Sequence, residues 1–289
     1  MKATDCAWLG GLAGGEAGVR YKKVKSRVTV RKKTYVYYYW RLRMRIEMGE
    51  EDYVKRVAEL CGVSYRKEPN GKYWEVVLRG GRALGILKLI RPYLFGLKRE
   101  AVDIALRLGP SVSAKLSRPL LPSIRGGNRT LETSLGSGIQ VATESLVDST
   151  MPVNKIEAAW LAGLFGGEGA WRYRNSKSQP SREAKIYHYW RLRLELQMAE
   201  YEWVKRAAGI MGGNFRRIPN RGYWETTVEG YKAFEIVQAI RPYLNGLKAL
   251  GADIILERGP TLPVAKDRPL LPSLKGKRKV DREGFGPST

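Results

Sequence analysis

The feature that most constrains this chain is that it carries nearly the same segment twice. Residues 40–123 align with 190–273 without a gap, with 39 identities in 84 positions. WRLR at 40–43 recurs at 190–193, PNGKYWE at 69–75 returns as PNRGYWE at 219–225, and IRPYL at 90–94 recurs at 240–244. Upstream, WLGGLAGGEAGVRY at 8–21 meets WLAGLFGGEGAWRY at 160–173, at an offset of 152 rather than 150. The two-residue difference therefore falls between this motif and Trp40. A repeat of about 120 residues is too long for a solenoid unit. It reads as two copies of one small domain fused into a pseudo-dimer. The expected division is a first repeat over 1–125, a linker rich in Ser, Thr and Gly over 126–152, a second repeat over 153–275, and a disordered basic tail over 276–289.

One element order fits both copies. Thr4 or Asp5 can cap a helix that carries the apolar run from Ala7, and Asn154 with Glu157 has capping-box spacing before the second run. From Tyr35 the odd positions read Tyr, Tyr, Tyr, Arg41, Arg43, Arg45, against Val36, Tyr38, Trp40, Leu42, Met44 and Ile46. Strict alternation predicts a half-buried strand with a basic face. Lys23, Lys25, Arg27 and Arg31 alternate with Val24, Ser26, Val28 and Val30 to give a partner strand, and Arg191 and Arg193 repeat the basic face in the second copy. Residues 51–61 have helical spacing up to Gly62, a hairpin turns through Pro-Asn-Gly, and 83–93 and 97–108 read as two helices. The predicted class is α+β: two pseudo-symmetric α-β-β-α-β-β-α repeats, each a saddle-like antiparallel sheet backed by helices.

Charge narrows the partner. Lys and Arg number 52 against 28 Asp and Glu, a formal net charge of +24. An excess of this size points to a polyanion, with nucleic acid first and an acidic membrane surface second. The longest charge-free runs near the motifs, 6–15 and 158–167, are half the roughly 20 residues a membrane-crossing helix needs. Asp5 comes too early for a signal peptide. Two cysteines, Cys6 and Cys61, fit a reducing intracellular compartment and exclude a cysteine-built zinc site. A single histidine, His188, removes His-based metal clusters and HNH-type nuclease chemistry; its alternation with Ile186 and Trp190 reads as a packed side chain.

The motifs themselves are rich in glycine, which a lone helix would not choose. Gly10, Gly11, Gly14 and Gly15, with Ala162, Gly163, Gly166 and Gly167, allow two backbones to approach closely, so the two motif helices can pack together as the interface between repeats. Glu16 and Glu168 end these helices, where a carboxylate opposes the macrodipole. Such a local conflict is expected where a cation binds. The plain alternative is a pair of small-residue packing helices with solvated glutamates.

LGGLAGGEA at 9–17 and LAGLFGGEG at 161–169 resemble the LAGLIDADG motif of homing endonucleases, twice and at the right place in each repeat. The resemblance covers nearly all of the chain except linker and tail, and its two-repeat layout is similar to the monomeric members. It implies a site-specific double-strand DNA endonuclease that cuts across the minor groove, leaves short 3′ overhangs, uses Mg²⁺ (Mn²⁺ or Ca²⁺ substituting in binding), and is intron-encoded. It places the metal-binding acids at Glu16 and Glu168. It matches Lys98 and Lys248 to a basic cleft residue, catalytic in role; without the resemblance they are helix-surface lysines. The sixth motif position, commonly acidic in the family, is Gly14 and Gly166 here, and Ala17 replaces the expected glycine. The basic ribbons, Lys23, Lys25, Arg27, Arg31, Arg41, Arg43 and Arg45 in one half and Arg191 and Arg193 in the other, would then bind double-stranded DNA in the major groove. Because Arg45 faces Glu195 in the alignment, the target should be asymmetric, and one chain should act as a monomer without a protein partner. An RNA maturase and a non-catalytic DNA-binding regulator are the alternatives on the same fold. Asp103 and Asp253 read as caps or ion-pair partners. Glu183 and Lys185 have the spacing of another nuclease motif's tail, in one copy only.

Overall fold

The computed structural model describes residues 1–30, 32–69, 71–115, 117–122, 153–178, 186–219, 222–264 and 271–272. The expected linker and tail, Arg31, Glu183 and Lys185 lie outside them. The first half runs α1 (Ala3–Glu16), β1 (Ala17–Val30), β2 (Lys33–Met48), α2 (Glu51–Cys61), β3 (Tyr65–Lys67), β4 (Trp74–Arg79), α3 (Gly80–Ile90), a 3-10 turn, α4 (Gly96–Leu108) and β5 (Ser111–Ser113). The second half repeats it: α5 (Lys155–Gly167), β6 (Gly169–Ser178), β7 (Tyr187–Met198), α6 (Tyr201–Met211), β8 (Asn214–Arg217), β9 (Trp224–Glu229), α7 (Tyr231–Ile240), a 3-10 turn, α8 (Gly246–Arg258) and β10 (Thr261–Pro263).

The class is α+β as expected, with one addition. Each sheet has a fifth strand, β5 or β10, which pairs with three residues of β2 or β7 just past the end of β4 or β9. Three residues after a helix-ending glycine carry no periodicity from which a strand could be read. The local stops behave as their chemistry dictates. Gly62 and Gly212 end α2 and α6 in the left-handed conformation, at φ 61° and 56°. Asn154 caps α5, its Oδ1 accepting the N–H groups of Ile156 and Glu157 at 3.0 and 2.9 Å. α1 begins earlier than expected, at Ala3, and Asp5 serves from inside its first turn by accepting the Lys2 N–H.

β1 and β2 form a long antiparallel ribbon. Near the body Leu42, Met44, Ile46 and Met48 bury one face, while Arg41, Arg43 and Arg45 occupy the other. Farther out, residues 32–38 are exposed on both faces. His188 sits on the corresponding outer part of the second ribbon. It is exposed rather than packed, with its Nδ1 3.4 Å from Asn175 Oδ1. The alternation continues there, but the helical layer that would bury one face has ended. Lys23 pairs with Trp40 and Asn175 with Trp190, each seven residues after its motif glutamate, so the two-residue difference lies in the outer part of the ribbon.

The halves meet at α1 and α5. A Cβ placed on Gly11 would stand 2.0 Å from the Trp160 carbonyl oxygen, and one on Gly163 would stand 2.0 Å from that of Trp8. Around this contact the core is aromatic and crosses between halves. Trp160 stacks on Trp203 at 5.8 Å, with Phe95 edge-on to both. The Trp160 and Trp203 indole N–H groups donate to the carbonyls of Tyr93 and Phe95 at 2.9 and 3.2 Å. Gly14 and Gly166, where the family commonly has an acid, face the rings of Trp203 and Tyr53 from the opposite half; a Cβ would lie 2.2 and 2.3 Å from them. Glycine is kept at those positions because an aromatic ring occupies the volume. Gly11→Ala and Gly163→Ala should each lose about 1–3 kcal/mol of stability through overpacking. Gly18→Ala, where the added Cβ meets nothing within 4 Å, should change it little. Urea denaturation of the three variants decides this, and equal losses would show that the close approach is not what the glycines serve.

Candidate active site and nucleic-acid interface

The crossing of α1 and α5 carries their two terminal glutamates to the opposite helix. A Cβ on Gly167 would be 2.9 Å from Glu16 Cγ and 3.1 Å from its Oε1. A Cβ on Gly15 would be 2.9 Å from Glu168 Cγ and 3.4 Å from its Oε1. Each carboxylate thus lies against the glycine that precedes the other carboxylate. The lysines expected beside them are there. Lys98 Nζ donates to the carbonyl of Ala17, directly after Glu16, and Lys248 Nζ donates to that of Gly169, directly after Glu168. Four residues far apart in the chain, Glu16, Glu168, Lys98 and Lys248, therefore gather around one pseudo-twofold axis.

Among the described residues no group of three or more His, Cys, Asp or Glu could hold a metal by side chains alone. The side-chain oxygen donors brought together here are the two carboxylates of Glu16 and Glu168. This hard-oxygen set suits Mg²⁺, which commonly takes one or two carboxylates and completes its shell with water and substrate phosphate.

The register sorts the basic residues. Directly paired residues share a face, so Arg20 and Lys22, opposite Arg43 and Arg41, join the arginine face of the first ribbon. Arg172 and Arg174, opposite Arg193 and Arg191, do the same in the second. Lys23, Lys25 and Arg27 pair with Trp40, Tyr38 and Val36 and lie on the other face, where the Lys23 and Lys25 ammonium groups approach the Tyr38 ring at 5.1 and 6.0 Å. Sequence reasoning missed Arg20, Lys22, Arg172 and Arg174. The signal would have been the turn: Val30 pairs with Lys33, a two-residue connection that sets the parity of every later pair. The residues there, VRKKT, include none of the glycine or asparagine that marks such a turn, and Lys32 itself takes φ 65°.

The arginines of the stripe are unequally engaged. Glu75, 3% exposed at its side chain, accepts from Arg45 at 2.5 Å and from Arg66 at 2.6–2.7 Å, with Arg43 at 3.8 Å. Arg45 also pairs with Glu47 and Glu68. Glu225 holds Arg216 in the same way, and Arg193, 11% exposed, lies among Glu195, Glu225 and Glu229 at 3.3–3.7 Å. Arg41 and Arg191 differ. Neither has an ion-pair partner among the described residues, and each guanidinium lies 5.6 Å from the ring centre of a tyrosine two residues before it, Tyr39 or Tyr189. The halves also differ in sign. Arg20, Arg43 and Arg79 stand side by side across three strands, where the second half has Arg172, Arg193 and Glu229. Burial, the Arg20 charge and other neighbouring arginines push the Arg43 pKa down, against the opposing pull of Glu75. An open cavity of about 370 Å³ beside this row is lined by Lys22, Arg41, Arg43 and Arg79 among other cations, and by no carboxylate. Asp103 and Asp253 are ion-pair partners, of Arg91 and Arg241.

No sequence-family profile matches the chain, and no curated protein matches it in sequence. Its fold has clear relatives. I-LtrWI, a LAGLIDADG homing endonuclease solved bound to target DNA, superposes with a TM-score of 0.50 at 14% identity, over 88% of this chain and 90% of that one. Two lysine-to-alanine mutants of I-SmaMI give 0.52 over 87% and 92%, and 0.50 over 87% and 90%, both at 13% identity. The chain has the fold of the LAGLIDADG homing endonucleases in its single-chain, two-repeat form.

Glu75 provides a test of the ion network. Burial works to raise its pKa, but the hydrogen bonds from Arg66 and Arg45 outweigh it and hold the carboxyl below the usual range. A depressed folded-state pKa means stability that is complete above the unfolded value, about 4.3, and is lost as pH falls through the folded value. Glu75→Gln should therefore destabilise the protein near neutral pH by roughly 1.5–3 kcal/mol, since it removes the charged acceptor of the Arg45 and Arg66 hydrogen bonds. It should also lose less stability than wild type between about pH 5 and 3. Thermal unfolding against pH, with parallel curves for the two proteins, would show that Glu75 does not carry this dependence.

Proposed function

We propose that the protein is a site-specific double-strand DNA endonuclease whose two centres are built around Glu16 and Glu168. The observation that carries this reading is the meeting of two helix-terminal carboxylates at the pseudo-twofold axis, each with a lysine bound to the next backbone carbonyl. The structural relatives support it at the level of the fold. Glu16 and Glu168 would hold Mg²⁺, which when bound supplies Lewis-acid stabilisation of phosphoryl oxygens and a more acidic water. Lys98 and Lys248 place a cation beside each acid, where it can donate to a phosphate oxygen as charge develops. The arginine face of the ribbons supplies the binding surface, and the buried Nε–H groups of Arg43 and Arg191 make no hydrogen bond among the described residues. Because both acids lie in one chain, a monomer can assemble both centres. Because Arg79 and Arg45 correspond to Glu229 and Glu195, its target should be asymmetric. No helix among the described residues is long and apolar enough to cross a membrane.

Glu16→Gln and Glu168→Gln should each reduce double-strand cleavage of a plasmid library roughly 100-fold or more while DNA binding is kept. Full cleavage by either variant with Mg²⁺ present sinks the assignment, and a wild type that binds without cutting favours a regulator or maturase. Base reading should fall mainly to Arg41 and Arg191, whose forks are held by a tyrosine ring and not by a carboxylate. Arg41→Ala and Arg191→Ala should each lose about 1–3 kcal/mol of discrimination at a base in opposite half-sites. Arg193→Ala should cost folding stability more than specificity. Binding profiles over single-base variants of the recovered target separate these, and an unchanged profile for Arg41→Ala and Arg191→Ala would remove them from the reading surface.

A further inference from the structure

Glu50 and Glu200 are equivalent residues that directly precede α2 and α6, where a carboxylate could cap its own helix; neither does. Each instead crosses to the other half. Glu50 Oε2 accepts the Leu247 N–H at 2.9 Å, and Glu200 Oε2 accepts the Leu97 N–H at 3.1 Å. Leu97 and Leu247 lie in the first turns of α4 and α8, one residue before Lys98 and Lys248. An acid there satisfies an N–H with no intrahelical partner and meets the positive end of the helix. Gly96 and Gly246 are fitted to the arrangement. Both take φ 52°, and a Cβ on either would lie 2.4 Å from the same carboxylate oxygen. The acids also feel the lysines. Burial raises the pKa of both, opposed by the Leu247 N–H and the Lys248 charge at Glu50, and by the Leu97 N–H and the Lys98 charge at Glu200.

Each lysine therefore stands between its own motif end and an acid of the opposite half. We propose that Glu50 and Glu200 are positioning residues that fix the active-site lysine of the opposite half through the first turn of its helix, so that neither centre is complete until the two halves have docked. The proposal rests on reading Lys98 and Lys248 as active-site groups.

Hydrogen exchange of the full chain without DNA tests the crossing directly. Glu200→Ala should speed exchange of the amides at 96–99 and leave 246–249 as in wild type, and Glu50→Ala should do the reverse. Glu200→Gln, whose amide oxygen can still accept the Leu97 N–H, should keep that protection. The second measurement is the single-turnover rate of each strand of an end-labelled duplex, recovered from a plasmid library by wild-type cleavage. Glu200→Ala should slow the strand that Lys98→Ala slows, by roughly 10- to 100-fold, and the double variant should be no slower than Lys98→Ala alone. Glu200→Gln should restore most of the rate. Glu200→Ala combined with Lys248→Ala should slow both strands independently. Exchange changes confined to α6, or equal slowing of both strands by Glu200→Ala, would overturn the proposal. A wild type that cuts nothing overturns the endonuclease reading instead, and the exchange pattern then still decides whether the opposite half fixes these helices.

Discussion

The structure depends on one contact: the backbone-to-backbone approach of α1 and α5 at Gly11 and Gly163. A helix bearing larger side chains there would be held several ångströms farther away, since packed helices normally lie about 8–10 Å apart according to their side chains. Much else follows from the approach being close. It lets Trp203 and Tyr53 fill the space over Gly14 and Gly166, and it lets Glu16 and Glu168 reach the glycine of the opposite helix. The helix propensity forgone at these glycines, near 1 kcal/mol each, is offset by an aromatic core shared between the halves.

That sharing makes the two halves parts of one site. The indole N–H groups of Trp160 and Trp203, the guanidinium of Arg56 on the Tyr243 carbonyl at 2.7 Å, and the carboxylates of Glu50 and Glu200 all bond across the pseudo-twofold axis. Several of these partners lie in or beside the turns that lead into α4 and α8. The elements carrying the candidate lysines are thus anchored by the opposite repeat as well as by their own.

On the sheets, two opposing demands are met by separate residues. Arginines placed directly opposite one another repel, and burying them costs more. Near the body, Glu75 and Glu225 neutralise the stripe and fix its side chains. Farther out, Arg41 and Arg191 lean on tyrosine rings, which orient the fork without consuming its charge. Substitution of Glu229 for Arg79 and of Glu195 for Arg45 gives the two halves different fields on one backbone plan.

The order of the helices and long strands, the duplication and the helix stops at Gly62 and Gly212 were legible in the sequence, and the family resemblance singled out Glu16, Glu168, Lys98 and Lys248, which the structure brings together. Each rests on local periodicity, on a residue with special backbone freedom, or on motif spacing repeated in both copies. The short strands β5 and β10, the exposure of His188, the face taken by Lys23, Lys25 and Arg27, and the engagement of Arg43, Arg45 and Arg193 were not. A three-residue strand has no period, and alternation records which residues share a face but not whether a layer covers it. A basic residue in sequence has no visible partner, because Glu75 and Glu225 reach the stripe only through strand pairing. The crossing of Glu50 and Glu200 is the furthest case: which helix N–H each carboxylate meets was decided only by how the two repeats dock.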